Sequence, residues 1–241
     1  KMTTGLFNVE VTPTMTGANA VTQFADGDVV YDWTSFEVPR GASKLLSVTT
    51  VVMGTDGARQ EKVFDLLFAK TKDLNAPGSL GTVNATADGV GYFRNLNGSL
   101  KLVAADYFDG LDFLAIAHTD APEGFVLEAE AGSGSTKGLQ KLYLGVISND
   151  TPDFGTGVLL NQGSNQAATT TETTITTDGT DPRKVFQVGD VVVAQDGAAI
   201  GTITALPGAT SITLDKVEEA LTDDDEIVNI SPMKFILHFE K

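Results

Sequence analysis

The sequence predicts an all-β protein, and three observations support this prediction. Val, Thr, Ile and Phe are frequent and are interrupted by Gly, Asp-Gly and Asn-Gly pairs, a composition typical of strands joined by tight turns. Helix signals are sparse along the whole chain. The 241 residues, of which 41% are apolar, are enough for one large or two smaller domains with a buried core. We therefore predict a β-sandwich or barrel-like main domain with a small SH3-like β-barrel lobe.

The main domain is predicted from a series of apolar or alternating segments in the first 158 residues. The segment EKVFDLLFAK has an ambiguous period, and we interpret it as a buried strand because the long polar segment after it contains no helix-stop signal. SLKLVAADYFD and DFLAIAHTD are predicted to pair with each other around a turn in YFDGLD. The predicted strands of this domain are 6–11, 34–41, 44–54, 61–70, 99–109, 112–120, 124–131 and 139–148.

The composition changes after Asn149, where Thr, Asn, Gly and Asp become dense. We interpret residues 159–184 as a connector with short strands at VLL and TTITT. Residues 185–231 then contain four short apolar segments separated by tight turns, which is the pattern of a small SH3-like barrel. Within this module, KVEEALTDDDE is predicted to form one or two helical turns.

The last segment, PMKFILHFEK, is too apolar for a loose tail. Phe235, Leu237 and Phe239 alternate with Ile236, His238 and Glu240, as in a half-buried strand. We predict that residues 232–241 return to the sheet of the main domain, so that the barrel module is an insertion or appended lobe, entered near residue 160 and left near residue 232.

Charge and cysteine content limit the classes of function. The net charge is −16, which argues against a nucleic-acid-binding surface, since such surfaces need clustered Lys and Arg. The chain has no cysteine, which excludes disulfides, thiolate metal sites and cysteine nucleophiles. No segment is long and apolar enough for a membrane helix, and we expect no membrane association. The N-terminal segment shows no apolar signal-peptide core.

The chain has two histidines, His118 and His238. His118 precedes Asp120 by two residues, and side chains at this spacing point the same way in a strand, so the two could touch. A hydrolase triad also needs a nucleophile, and no G-x-S-x-G motif is present. We interpret His118 as a surface histidine at a strand end and predict a protein that is not an enzyme and has no cofactor.

Acidic residues form two clusters. Residues 215–226 contain seven acids and one base, but they lack the spacing of an EF-hand calcium loop. We interpret this cluster as a turn with solvated carboxylates and predict no bound metal. The alternative is a cation site, for which the candidate ligands are Asp223, Asp224, Asp225 and Glu226 in one cluster and Asp106, Asp109 and Asp112 in the other.

Three aromatic residues are candidates for an interface. Trp33 is the single tryptophan, and it is predicted to anchor the chain against the domain core or a neighbouring subunit. Phe235 and Phe239 in the last strand are further candidate interface residues. A carbohydrate-cleaving cleft usually displays more aromatic residues than the 7% found here.

The segment VGDVVVAQDGAAIGTITALPGATSITLDKVEEALTDDDEIVNI resembles a small module of tailed-bacteriophage virion proteins. It carries V-G-D-x-V, then D-G-x-x-I-G-T-I, then an x-I-T-L strand and A-L-x-x-D-D-E. The first domain, with VPRGASKLLSVTTVVMGTDG and GLQKLYLGVIS, is similar to virion structural proteins of marine phages. These motifs report fold rather than chemistry.

The resemblance implies a capsid decoration (cement) protein located on the exterior of the virion. Such a protein would bind the major capsid protein, brace neighbouring shell subunits and form a homo-oligomer, a trimer or a dimer. Residues 1–12 and the Thr-rich residues 166–180 are candidate arms for these contacts. Three alternatives remain open: a tail, neck or fibre-associated virion protein, a carbohydrate-binding surface module, and a secreted β-rich enzyme.

Overall fold

The structure is a computed structural model that describes residues 5–15, 19, 22–53, 59–108, 111–128, 139–154, 158–160, 165–194 and 196–241. The described residues form fifteen strands and two short 3-10 helices, Ala104–Asp106 and Pro182–Lys184. The strands are β1 Leu6–Val11, β2 Val29–Pro39, β3 Ser43–Met53, β4 Phe64–Lys70, β5 Leu96–Leu102, β6 Leu114–Asp120, β7 Val126–Leu127, β8 Leu139–Ser148, β9 Val158–Leu160, β10 Thr173–Gly179, β11 Val191–Ala194, β12 Ala199–Gly208, β13 Ser211–Leu214, β14 Glu226–Asn229 and β15 Met233–Glu240. The prediction of an all-β protein is confirmed.

The main domain is a sandwich of two antiparallel sheets. The first sheet has the order β1-β15-β3-β6, with β7 paired to one end of β3, and the second has the order β2-β8-β4-β5. In the first sheet, Asn8 lies opposite His238, and Thr49 lies opposite His118. The last strand therefore lies between β1 and β3, and the predicted return of the C-terminal segment to the main domain is confirmed.

The sandwich core is filled by one face of each strand. Phe64, Leu66 and Phe68 of β4 are fully buried, and the side chains between them are half-buried. This confirms that EKVFDLLFAK contains a buried strand. β15 contributes Phe235 and Phe239 in the same alternating manner. This arrangement follows from the two-residue period of a strand, which directs alternate side chains to one face.

Six further strands form a closed barrel with the order β10-β13-β12-β11-β14-β9, in which β9 pairs again with β10. The sequence predicts a connector over residues 159–184, but in the structure β10 and most of β9 fall within this range and pair with the barrel. The Thr-rich residues 166–180 are therefore not an extended arm. Gln166 and Thr169 form single bridges with Leu221 and Val217, both of which lie within the segment KVEEALTDDDE that the sequence predicts to be helical.

The prediction of helical turns in residues 216–226 is wrong. Val217 and Leu221 have the four-residue spacing of a helix, but both side chains fill the barrel core from an extended, bridged backbone. The predicted pairing of residues 99–109 with 112–120 is confirmed only over residues 107–108, where Tyr107 forms a single antiparallel bridge with Ala117 and the Phe108 amide donates a hydrogen bond to the Ile116 carbonyl (2.8 Å). The strands β5 and β6 themselves lie in different sheets, and the 3-10 helix Ala104–Asp106 follows β5.

The barrel packs directly against the sandwich. Successive residues of β11 point in opposite directions, so that Val192 joins the barrel core and Val193 joins the sandwich core. The Met53 amide donates a hydrogen bond to the Pro232 carbonyl (2.8 Å), and the Met15 amide donates to that of Ile230 (2.8 Å). The structure contains no helix, in the residues it describes, that is long and apolar enough to cross a membrane.

Candidate interaction surface

The strongest candidate for a functional surface is the loop 71–95, which connects β4 to β5. Three large apolar side chains of this loop are almost fully exposed: Leu74 (81%), Val90 (85%) and Phe93 (78%). Single exposed apolar residues are ordinary, but several in one loop indicate a contact site for another molecule. We call the surface formed by these three residues, Lys72 and Arg94 the loop tip.

Leu74 is displayed by a two-residue turn. Lys72 and Asn75 exchange two backbone hydrogen bonds, of 2.9 and 3.0 Å, and enclose Asp73 and Leu74. Both enclosed residues have positive φ, 53° at Asp73 and 63° at Leu74. Leucine is unusual in this region because its Cβ crowds the backbone, at a cost of about 1–2 kcal/mol. The turn thus holds an apolar side chain outward at a position where Asn or Gly would be less strained.

The loop is fixed to the outer face of the second sheet by Trp33. The indole Nε1–H donates a hydrogen bond to the Gly78 carbonyl (2.7 Å). Its ring packs edge-to-face against Tyr92, with 5.6 Å between ring centroids. Trp33 therefore contacts both the first and the last part of the loop, and it acts as an anchor within its own chain.

A second anchor lies beside it at Asp32. Its carboxylate accepts hydrogen bonds from the Ser79 hydroxyl (2.7 Å) and from the Leu80 amide (2.9 Å). These bonds direct the Leu80 side chain onto β8, where Gly145 provides the space that it fills. At the far end of the loop, the buried amide of Asn95 donates to the Lys70 carbonyl (2.8 Å) and the Asn75 carbonyl (3.3 Å). The loop is therefore long but attached at several points.

An open depression of about 560 Å³ lies at the loop tip. Its lining includes apolar side chains and two cations, Lys72 and Arg94, together with Asp73. Lys72 is 3.3 Å from Asp73 in an exposed ion pair, which contributes little to stability. Cations beside apolar groups are notable here because the whole chain carries a net charge of −16.

The predicted interface residues have different environments. Phe235 and Phe239 are 0% and 1% exposed in the sandwich core, so the prediction that they form an interface is wrong. The apolar alternation that suggested an interface arises from packing between the two sheets. Trp33 is half-buried against loop 71–95. The exposed residues Leu74, Val90 and Phe93 were not singled out from the sequence, since loop residues lack a periodic pattern that would reveal exposure.

The acidic cluster Asp223, Asp224, Asp225 and Glu226 forms the turn that leads into β14. The Asp225 carboxylate accepts a hydrogen bond from the Thr222 amide (2.6 Å), and Asp224 has a φ of 62°. In the second cluster, the Asp106 carboxylate is engaged in hydrogen bonds within the chain, accepting from the Val103 amide and from the Thr119 hydroxyl. Asp109 lies outside the described residues. Among the described residues, no three or more His, Cys, Asp or Glu side chains are grouped to hold a metal ion.

His118 and Asp120 lie side by side on the exposed face of β6, with 3.5 Å between His118 Nε2 and Asp120 Oδ1. The structure adds two residues that the sequence did not connect with them. Thr49 of β3 lies between His118 and His238, with hydrogen bonds to both rings. This contact depends on the register of three strands that are distant in sequence, so no local pattern could reveal it.

No protein-family model and no curated protein matches the chain. Among solved structures, the chain is similar to the infectious bursal disease virus VP2 subviral particle, with 11% sequence identity and a TM-score of 0.28. This match covers 98% of the present chain and 41% of that chain, so the chain spans less than half of that protein's length. A likeness of this size carries no argument about function. The resemblance to phage decoration proteins therefore stays a prediction.

Proposed function

We propose that the chain is a non-enzymatic structural protein of a virus particle, which decorates the exterior of a tailed-phage capsid. In this role it binds the major capsid protein and braces neighbouring shell subunits. The proposal that the particle is a phage capsid comes from the sequence resemblance of residues 188–230. The proposal that the chain works by docking rests on the loop tip.

The loop tip is the single observation that carries this function. Leu74, Val90 and Phe93 project from a loop that is attached through Trp33 and Asp32. A pre-attached apolar surface loses little conformational entropy on binding, which favours a stable contact with a protein partner. The strained backbone of Leu74 supports the same conclusion, since strain of this kind tends to persist at binding sites.

Charge supports a protein partner with an acidic contact surface. Lys72 and Arg94 flank the apolar side chains, while the remainder of the chain is strongly acidic. Oppositely charged surfaces accelerate association and orient the partners. The acidic remainder of the chain would face water and keep decorated particles apart from one another. We further propose that the protein is a homo-oligomer on the capsid, a dimer or a trimer.

The secreted-enzyme alternative is less well supported by the cluster of Thr49, His118 and Asp120, where a hydroxyl, an imidazole and a carboxylate lie close together. Thr49, His118 and Asp120 have the composition of a hydrolytic triad, but Thr49 lies in the middle of β3. β3 pairs with β15 on one side and β6 on the other, so its backbone amides are engaged in the sheet. An oxyanion hole needs free amides aimed at the reacting carbonyl.

The proposal is tested by binding to purified capsid shells of the source phage that lack the protein. Wild-type protein should sediment with the shells and raise their resistance to heat. Leu74→Asn and Phe93→Asp should each weaken binding by about 30-fold or more, because central apolar contacts typically contribute about 2 kcal/mol. Leu74→Asn is informative because Asn tolerates positive φ, so the variant should fold at least as well as the wild type.

Val188→Asp is the matched control. Val188 is a similarly exposed apolar residue (64%), but it lies in the turn before β11 and not in loop 71–95. This variant should bind shells like the wild type. Equal binding by all variants would disprove the role of the loop tip. Binding to a glycan array, without binding to shells, would instead support a carbohydrate-binding module, and binding to tails alone would support a tail or neck protein.

A further inference from the structure

The two histidines of the chain meet on the outer face of the first sheet, although 119 residues separate them in sequence. His118 lies on β6 and His238 on β15, the two strands that flank β3. Their ring centroids are 6.1 Å apart, and the rings are tilted by 55°. The site is accessible to solvent, since the His118 side chain is 57% exposed.

One nitrogen of each ring points at the same atom between them. Thr49 Oγ1 lies 3.2 Å from His118 Nδ1 and 3.0 Å from His238 Nε2. We call these two atoms the inward nitrogens. A hydroxyl has only one hydrogen, so Thr49 can donate to one inward nitrogen and must accept from the other or leave it unsatisfied.

The other two ring nitrogens face acceptors. His238 Nδ1 lies 2.9 Å from Asn8 Oδ1, and His118 Nε2 lies 3.5 Å from Asp120 Oδ1. An acceptor beside the outer nitrogen favours the tautomer that carries the proton there and leaves the lone pair on the inward nitrogen. With both outer nitrogens protonated, two lone pairs converge on Thr49, whose single hydrogen satisfies only one of them.

We propose that this cluster binds a divalent transition-metal ion, of the class of Zn²⁺, Ni²⁺ or Cu²⁺, through His118 Nδ1 and His238 Nε2. Neutral imidazole is a preferred ligand for these ions. The outer acceptors match the usual arrangement of metal-binding histidines, in which the second ring nitrogen donates to a carboxylate or an amide oxygen. A metal ion accepts both lone pairs at once, which the Thr49 hydrogen cannot do.

The remaining coordination positions of the ion are open. Because no third His, Cys, Asp or Glu completes the group in the described part of the chain, we expect exchangeable water molecules at these positions. An exposed ion with open positions can also accept a carboxylate from a neighbouring molecule. This inference does not depend on the proposed capsid function, because it rests only on the geometry of the sheet.

The test is a titration of the intact chain with NiCl₂, ZnCl₂ or CuSO₄, followed by calorimetry and by the ¹⁵N NMR signals of the imidazoles. Since the chain has two histidines and no cysteine, its imidazole signals are simple to assign with single variants. Wild-type protein should bind one equivalent; Zn²⁺, which is diamagnetic, should shift the signals of His118 Nδ1 and His238 Nε2, and the paramagnetic ions Ni²⁺ and Cu²⁺ should broaden them. MgCl₂ should cause no such shift, because Mg²⁺ prefers oxygen ligands.

Variants define the site. His118→Ala and His238→Ala should each weaken binding by about tenfold or more, and the double variant should abolish it. Asp120→Asn should weaken binding by about tenfold through orientation of the His118 ring. Asp224→Asn, in the acidic turn before β14, is the control and should leave binding unchanged. Thermal unfolding followed by circular dichroism checks that each variant is folded.

Two results would overturn the proposal. Unchanged affinity in the His118→Ala/His238→Ala double variant would place the ion at carboxylates elsewhere in the chain. Absence of any shift of the imidazole signals with Zn²⁺, and of any broadening with Ni²⁺ or Cu²⁺, at metal concentrations on the order of 1 mM would show that the two rings do not form a site of useful affinity.

Discussion

Leu80 fills the space that the missing side chain of Gly145 leaves on β8. A Cβ atom at position 145 would lie 2.4 Å from Leu80 Cδ1 and 3.1 Å from the Trp33 ring. Leu80 is fully buried although it belongs to a loop. The absence of a side chain at Gly145 therefore allows Leu80 to pack on β8 and holds loop 71–95, which carries the proposed docking surface, against the sheet.

Gly145→Ala should displace Leu80 and loop 71–95 from the sheet and destabilise the protein by about 1–3 kcal/mol, the usual cost of overpacking. Urea unfolding measures the stability, and limited proteolysis should show new cleavage within 71–95. Gly5→Ala is the control, since no heavy atom lies within 4 Å of the added Cβ. A Gly145→Ala variant as stable and as protease-resistant as the wild type would show that Leu80 is not held in this way.

Asp32→Ala should release the middle of the same loop. The change removes the acceptor for the Ser79 hydroxyl and the Leu80 amide, and bonds to a charged acceptor contribute about 1.5–3 kcal/mol each when buried and less at this partly exposed position. Trp33 is the single tryptophan, so its fluorescence reports on the loop directly. We expect a red-shifted emission in the folded variant. Ser79→Ala removes only one of the two bonds and should give a smaller shift.

An unshifted Trp33 emission in Asp32→Ala would mean that the hydrogen bond from the indole to Gly78 is sufficient to fix the loop. In that case Trp33→Phe, which removes this donor while retaining an aromatic ring, should be the more damaging change. The two variants thus distinguish which anchor holds the loop tip in place.

The sandwich was predictable because its strands follow the two-residue period closely. β15 is the clearest case, since Phe235, Leu237 and Phe239 are buried and each neighbour between them is half-buried. An apolar face of this length must be covered, which is why its return to the main sheet could be inferred without a structure.

The barrel boundary was not predictable because β10 lacks an apolar alternation. Its two core-facing residues are Ile175 and Thr177, of which only one is strongly apolar. A threonine-rich segment is typical of a solvent-exposed strand, although a buried threonine can present its methyl group to a core. Residues 216–226 are not helical, since Val217 and Leu221, although four residues apart, each form a separate bridge with residues 166–169.

The candidate sites were still less predictable from sequence. Exposure of Leu74 and Phe93 depends on how the loop is anchored, and the contact between His118 and His238 depends on the register of β6, β3 and β15. Both are properties of tertiary structure, whereas sequence patterns report mainly on local structure.

Phe235→Ala should be severely destabilising, by about 3–5 kcal/mol, because it removes a fully buried ring from the sandwich core. Ile236→Ala is a close control, since the neighbouring side chain points to the outer face of the same strand and is only half-buried. It should cost distinctly less in the same urea unfolding experiment. Equal costs for the two variants would contradict the assignment of Phe235 to the core rather than to an interface.

Stability should depend on pH through Asp190, which lies at the junction of barrel and sandwich beside a pocket of about 280 Å³. Burial raises the pKa of Asp190, while hydrogen bonds from the Gln187 amide and the Asn229 side chain act in the opposite direction. Since the folded-state pKa exceeds the ordinary Asp value of about 3.9, the carboxyl group favours the folded state when protonated. This contribution is complete below that value and is lost as the pH rises through the folded-state pKa.

Asp190→Asn should therefore gain stability relative to the wild type as the pH is raised from 3 to 7, because the amide cannot ionise and its oxygen can still accept the hydrogen bond from Gln187. Asp196→Asn makes the same change in net charge at another turn, where the carboxylate accepts from the Ala198 amide. Subtracting its effect isolates the contribution of burial at Asp190. A relative stability of Asp190→Asn that falls with rising pH would show that the hydrogen bonds to the ionised carboxylate outweigh its desolvation.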